Sequence, residues 1–149
     1  MRLSVCLSLI ALAPLFAAPS AADEVGEQLF VDSCSGCHQL GGIGQPGLAP
    51  PLVDPALWNG LGDKAPDYLL GVVFGGLTGK ISAQGQDYIG LAMPPQDWMS
   101  DEEVEAVARY VLQDLNGIDL APTAAQIAAT RASHPSHQAL RAQRKEALN

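Results

Sequence analysis

The sequence predicts an all-α domain of three or four short helices joined by long irregular loops, and three observations predict it. Apolar residues recur at helical spacing in separate stretches near residues 23–33, 66–74 and 100–115. Fifteen Gly and eleven Pro break the chain between those stretches, so long helices or extended sheets are not expected. With 149 residues, 48% of them apolar, the chain can bury one core and is too short for two full domains.

Taken in order, the first element is an export signal. Arg2 precedes an apolar stretch, Leu3 to Ala18, that Pro14 interrupts, and Ser20-Ala21-Ala22 presents the small side chains a signal peptidase selects. The reading is a signal peptide over 1–22, cleaved after Ala22, carrying Cys6 away with it. An uncleaved anchor fits less well, because the stretch is short for a bilayer. The mature chain is then expected in a bacterial periplasm with no membrane span, and with Cys34 and Cys37 as its only thiols.

Asp23 to Ser33 reads as a helix, with Val25 and Leu29 on one stripe and Gly26 and Phe30 on the next. Residues 41–55, rich in Gly and Pro around Leu48, Leu52 and Val53, read as a wrapping loop. Pro66 opens a buried middle helix that Gly75-Gly76 stops. Ile81-Ser82-Ala83 and Asp87-Tyr88-Ile89, separated by Gln84-Gly85, suggest a small β-hairpin. Ser100 and Glu103 form a capping box, Met99 and Val104 a hydrophobic staple, and Val104, Val107, Ala108, Val111, Leu112 and Leu115 follow as the buried face of a last core helix.

Charge divides the mature chain. Residues 23–120 hold fifteen acids against the three bases Lys64, Lys80 and Arg109, whereas residues 121–149 hold Arg131, Arg141, Arg144 and Lys145 against Glu146. The first unit is read as the domain proper and the second as a basic, Ala-rich extension of marginal order. A formal net charge of −8 argues against nucleic acid as a partner.

Cys34-Ser35-Gly36-Cys37-His38 is a CxxCH, the attachment signature of c-type haem. Two thiols at this spacing can add across the two vinyl groups on one porphyrin edge, and the next imidazole then lies under the iron. A redox dithiol would want a βαβ context. Zinc would want a fourth ligand. A plain disulfide between Cys34 and Cys37 is the remaining, less favoured alternative. The motif therefore implies one covalently attached haem, with the short helices wrapped around it and His38 as an iron ligand.

Met93 is the expected sixth ligand. It precedes Pro94-Pro95, which stiffen a strap, and it lies 55 residues past His38, beyond the loop and middle helix that would fold over the ring. The alternatives are Met99, which also serves as the staple, His134 or His137, which otherwise read as surface histidines, and an open position. Leu52, Trp58, Leu70, Phe74 and Ile89 are expected to wall the ring, Trp58 being equally at home in loop packing.

From Asp23 to Leu115 the chain resembles the class I, or mitochondrial-type, monohaem cytochromes c: Gly26, Phe30, the Cys34 to His38 motif, Pro50, Met93-Pro94 and Tyr110 follow that family's order. The resemblance implies that Gly26 and Phe30 pack against Val107 and Tyr110, and that the backbone carbonyl of Pro50, or of its neighbour Pro51, accepts a hydrogen bond from the proximal imidazole. The segment from Gly76 to Pro95 is similar to a subgroup whose members serve as haem subunits or partners of periplasmic dehydrogenases, such as sulfite or alcohol dehydrogenases, or feed terminal oxidases. The stretch beyond Gly117 has no counterpart in the resemblance.

These readings imply a periplasmic one-electron carrier, not an enzyme, cycling between Fe(III) and Fe(II) in a respiratory chain with redox proteins as partners. Thioether ligation and a buried ring both favour Fe(II) and so a high potential. The rival class is a five-coordinate haem protein, a peroxidase or gas sensor. The acidic domain implies a partner with a basic docking face, while the basic extension is expected on the core, on a partner or at an anionic membrane.

Overall fold

The computed structural model describes residues 21–149, with side chains from Glu24 onward. Residues 1–20 of the expected signal segment lie outside the described residues. Helix α1 (Ala21–Ser33) runs into α2 (Ser35–His38), and after a short turn and the loop through the prolines come α3 (Pro55–Leu61) and α4 (Ala65–Gly75). Four two- and three-residue strands follow, β1 (Leu77–Thr78), β2 (Ile81–Ala83), β3 (Gln86–Tyr88) and β4 (Ala92–Met93). Helix α5 (Asp101–Arg109) continues as a π-helical turn over Tyr110–Asp114, and α6 (Ala124–Ala132) and α7 (His137–Ala147) complete the chain. Among the described residues no helix is long and apolar enough to cross a membrane.

The first and last core helices cross at Gly26. A Cβ there would stand 2.5 Å from the Ala106 carbonyl oxygen and 3.1 Å from Tyr110 Cβ, so only glycine lets the two backbones meet. The expected neighbour Val107 is buried one residue beyond the contact. Phe30, fully buried, lies with its ring 5.3 Å from that of Tyr110, a contact adding about 0.5–1.5 kcal/mol beyond the area it buries. Both halves of the Ser100–Glu103 capping box are made, and Met99 is buried beside Val104 in the core.

Helix α3, which begins at the last residue of the expected loop, was not foreseen. Its cap is Asp54, whose carboxylate accepts from Leu57 N, and Pro55 occupies the first turn, where no N–H is needed. The expected hairpin is β2 paired with β3, Ser82 opposite Asp87, its second strand starting at Gln86 and ending before Ile89. A second ladder was not foreseen: β1 pairs antiparallel with β4, Leu77 opposite Met93 and Thr78 opposite Ala92.

The extension is not marginally ordered. Thr123 with Gln126 caps α6, Ser136 caps α7, and Ile127 and Leu140 are wholly buried in the common core. Thin apolar content suffices because the tail's cations find fixed partners. Arg131 sits 4.4 Å above the Phe74 ring, pairs with Asp101 at 2.7 Å and donates to the carbonyls of Asp97 and Met99. Two glycines admit α7: a Cβ on Gly60 would overlap the Ala147 carbonyl, and one on Gly71 would stand 2.9 Å from Leu140. The basic tail is thus folded onto the acidic domain.

Candidate functional site

One apolar cavity of about 240 Å³ is lined by Cys34, Cys37, His38 and Met93 together. Helix α1 delivers the first three: Cys34 N donates to Phe30 O at 2.8 Å, and His38 N to Cys34 O at 2.9 Å, so the CxxCH turn is a direct continuation of a helix locked into the core. Cys34 and Cys37 form no disulfide with each other, Cys34 being half-buried and Cys37 exposed. Burial, and then the neighbouring Cys37, push the Cys34 thiol up to about 11, which keeps it protonated at neutral pH.

His38 is buried, and its Nδ1 lies 2.9 Å from the Pro50 carbonyl oxygen. Since a carbonyl can only accept, Nδ1 carries the proton and the lone pair is left on Nε2. Burial holds the imidazole pKa below its ordinary value and so favours this neutral form, the bond to Pro50 opposing it only in part. Of the two adjacent prolines, Pro50 makes the contact. The loop is folded for it by Gly44, at φ +70°, where a Cβ would stand 2.4 Å from Pro51 N. Gly44 N also donates to His38 O at 2.8 Å.

The wall differs from the expected one. Leu52 and Trp58 line the cavity, and Trp58 Nε1 also donates to Leu52 O at 2.7 Å. Leu70 and Phe74 are buried elsewhere, and Ile89 is 66% exposed. Helix phase explains the first two. Tyr68, Leu69 and Val72 occupy the cavity face of α4, which leaves Phe74 under Arg131 and the tail. Ile89 lies just past the end of β3, where the chain has left the hairpin. Leu57, Leu77 and Tyr88 also belong to the apolar lining.

A charged residue lines it too. Arg144 of α7 is 7% exposed by side chain and pairs at 3.2 Å with Asp54, 4% exposed, while its Nε donates to Ser82 O. Burial raises the Tyr68 hydroxyl pKa, and the Arg144 guanidinium beside it pulls the other way. Arg144 was not singled out in sequence. The available signal was spacing: His137, Leu140, Arg141 and Arg144 fall at i, i+3, i+4 and i+7 on one helical face. Nor is His137 a plain surface side chain. It is half-buried, with Nε2 3.0 Å from Gly75 O and Nδ1 2.5 Å from Thr78 Oγ1. Met99 and His134 do not line the cavity.

The donor set fits a covalently held iron porphyrin: paired thiols and a neutral, oriented imidazole at one part of the lining, a thioether at another, and apolar walls between. No three His, Cys, Asp or Glu side chains converge as a metal cluster among the described residues, which leaves the zinc alternative without its ligands.

Comparison with known proteins agrees. The family model for cytochrome c matches residues 24–114. Two cytochromes c-552 of Thermus thermophilus are each 36% identical to this chain over 78 residues, which is 52% of this chain and 59% and 52% of theirs. The chain thus spans about half the length of the curated relatives it matches. It belongs to the cytochrome c family and carries one covalently attached haem c.

Proposed function

We propose that this cytochrome c is a periplasmic one-electron carrier whose haem iron is held between His38 and Met93, taking electrons from a periplasmic dehydrogenase, such as a sulfite or alcohol dehydrogenase, and passing them to the respiratory chain. The observation that carries this reading is that His38 and Met93, far apart in sequence, line the same cavity as both thiols. The bound haem supplies a one-electron couple. The protein's part is to hold and to exclude. Pro50 keeps His38 in the tautomer whose Nε2 can ligate. Leu52, Leu57, Trp58 and Leu69 keep water from the cavity and disfavour the additional positive charge of the oxidised state.

Support for export comes from the leader pattern of residues 1–22 and from the family's extracytoplasmic habit. Support for a basic docking partner comes from the acidic domain, whose tail cations Arg131 and Arg144 are already committed to Asp101 and Asp54. The test is spectroscopic. The oxidised holoprotein should show the weak sulfur-to-iron band at the red edge of the spectrum, and Met93→Ala should abolish it. A high-spin spectrum with rapid carbon monoxide binding by the unaltered protein would overturn the carrier reading in favour of a five-coordinate haem protein. Transfer rates to a dehydrogenase should fall as salt rises.

A further inference from the structure

The family match ends at residue 114, and the carrier role gives α6 and α7 nothing to do. Yet α7 reaches the segment against which the Met93 strap is paired. Arg141 Nη1 donates to the Thr78 carbonyl, and His137 spans the same segment, its Nε2 donating to Gly75 O and its Nδ1 accepting from the Thr78 hydroxyl. On the opposite side this segment meets Met93 directly. Leu77 pairs with Met93 in the β1–β4 ladder, and Gly76, at φ +69°, is packed so closely that a Cβ would stand 2.5 Å from Met93 O and 3.0 Å from Pro95 N. Gln96 N donates to Val73 O at 2.7 Å, closing the strap onto the end of α4.

A ladder of two residues per strand has too few bonds to stand alone. It needs a support that is itself anchored, and α7 is anchored by the fully buried Leu140 and by the Arg144–Asp54 pair. We propose that the C-terminal helix is a brace for the Met93 strap, with Arg141 and His137 as positioning residues that set how firmly the thioether is held against competing ligands. The proposal rests on Met93 as the axial ligand.

Imidazole binding to the oxidised holoprotein reads the strap, because the added ligand must displace whatever holds that side of the iron. The double variant Arg141→Ala/His137→Ala should bind imidazole about tenfold more tightly than the parent, the amount expected from losing hydrogen bonds that together contribute about 1.4 kcal/mol, and its sulfur band should weaken. Thr78→Val removes only a hydroxyl and should shift affinity the same way by about threefold; it decides the matter if the double variant does not fold. Ile127→Ala, which loosens the tail core without touching β1, should lower the melting temperature and leave imidazole affinity unchanged. Equal tightening in Ile127→Ala would mean general loosening and would overturn the brace. So would unchanged affinity in the brace variants while Met93→Ala binds imidazole more tightly. If Met93→Ala itself keeps the sulfur band and the parent affinity, the ligand assignment fails first and the brace falls with it.

Discussion

The two parts of the cavity lining that carry the donors are built by different means. The His38 part is local: two thiols and the imidazole sit within residues 34–38 at the end of α1, and the carbonyl that orients the imidazole is twelve residues on. The Met93 part is assembled from far-apart segments, β4 leaning on β1, and β1 and the end of α4 gripped by α7 through hydrogen bonds spanning 59, 62 and 63 residues. Local geometry forms wherever its short segment forms. Long-range geometry depends on every element between its contacts, and it is where one member of a fold family can differ from another without touching the attachment motif.

This contrast can be tested by perturbing one part and watching the other. The largest effect is expected from Cys34→Ser/Cys37→Ser, which should abolish covalent retention of haem, read as the loss of the added tetrapyrrole mass after denaturation; retention of that mass would break the assignment of attachment to the local part. Next, Arg144→Ala strands the buried Asp54 carboxylate and should cost about 3–5 kcal/mol in urea unfolding. Its attachment of haem should be unaffected in whatever fraction folds. Phe30→Ala empties the fully buried seam between α1 and α5, with a loss of about 3–5 kcal/mol, and, unlike Arg144→Ala, it should reduce haem incorporation, because α1 is what presents the CxxCH.

Gly44→Ala is a finer probe. Strained backbone at φ +70° and the approach to Pro51 predict a loss of about 1–3 kcal/mol, together with a change in the low-spin spectrum as the His38–Pro50 bond is displaced. An unchanged spectrum would show that the loop tolerates the shift. The smallest effect is expected at the hairpin tip. Lys80 and Ser82 hold the exposed Asp87 carboxyl below its ordinary range, so any contribution is present at neutral pH and lost as pH falls through the lowered pKa. Lys80→Gln should leave the neutral-pH melting temperature unresolved from the parent.

Much of this architecture was legible from local pattern. The CxxCH and the capping box at Ser100 are short-range chemistry in which the residues involved are near neighbours, and the α4 boundaries were marked by Pro66 and Gly76. Helix phase was less legible: Tyr68, Leu69, Leu70, Val72, Val73 and Phe74 are apolar all round, so periodicity could not say which face met the cavity and which met the tail. The tail itself was misread because an amphipathic face made of His137, Arg141 and Arg144 around a single Leu140 carries little hydrophobic signal, and its stability comes from carbonyls and carboxylates in other elements.

By itself, then, the order of residues determined the chemistry this protein can perform: the paired thiols, the adjoining imidazole and the helix that carries them are covalent neighbours, and their spacing is already a geometry. Only the folded chain decided which apolar residues wall the cavity, that Asp54 and Arg144 meet 90 residues apart, and that α7 sits behind the Met93 strap. Those outcomes are sums of weak contacts between distant segments, and no segment holds the information about its partner until both are in place.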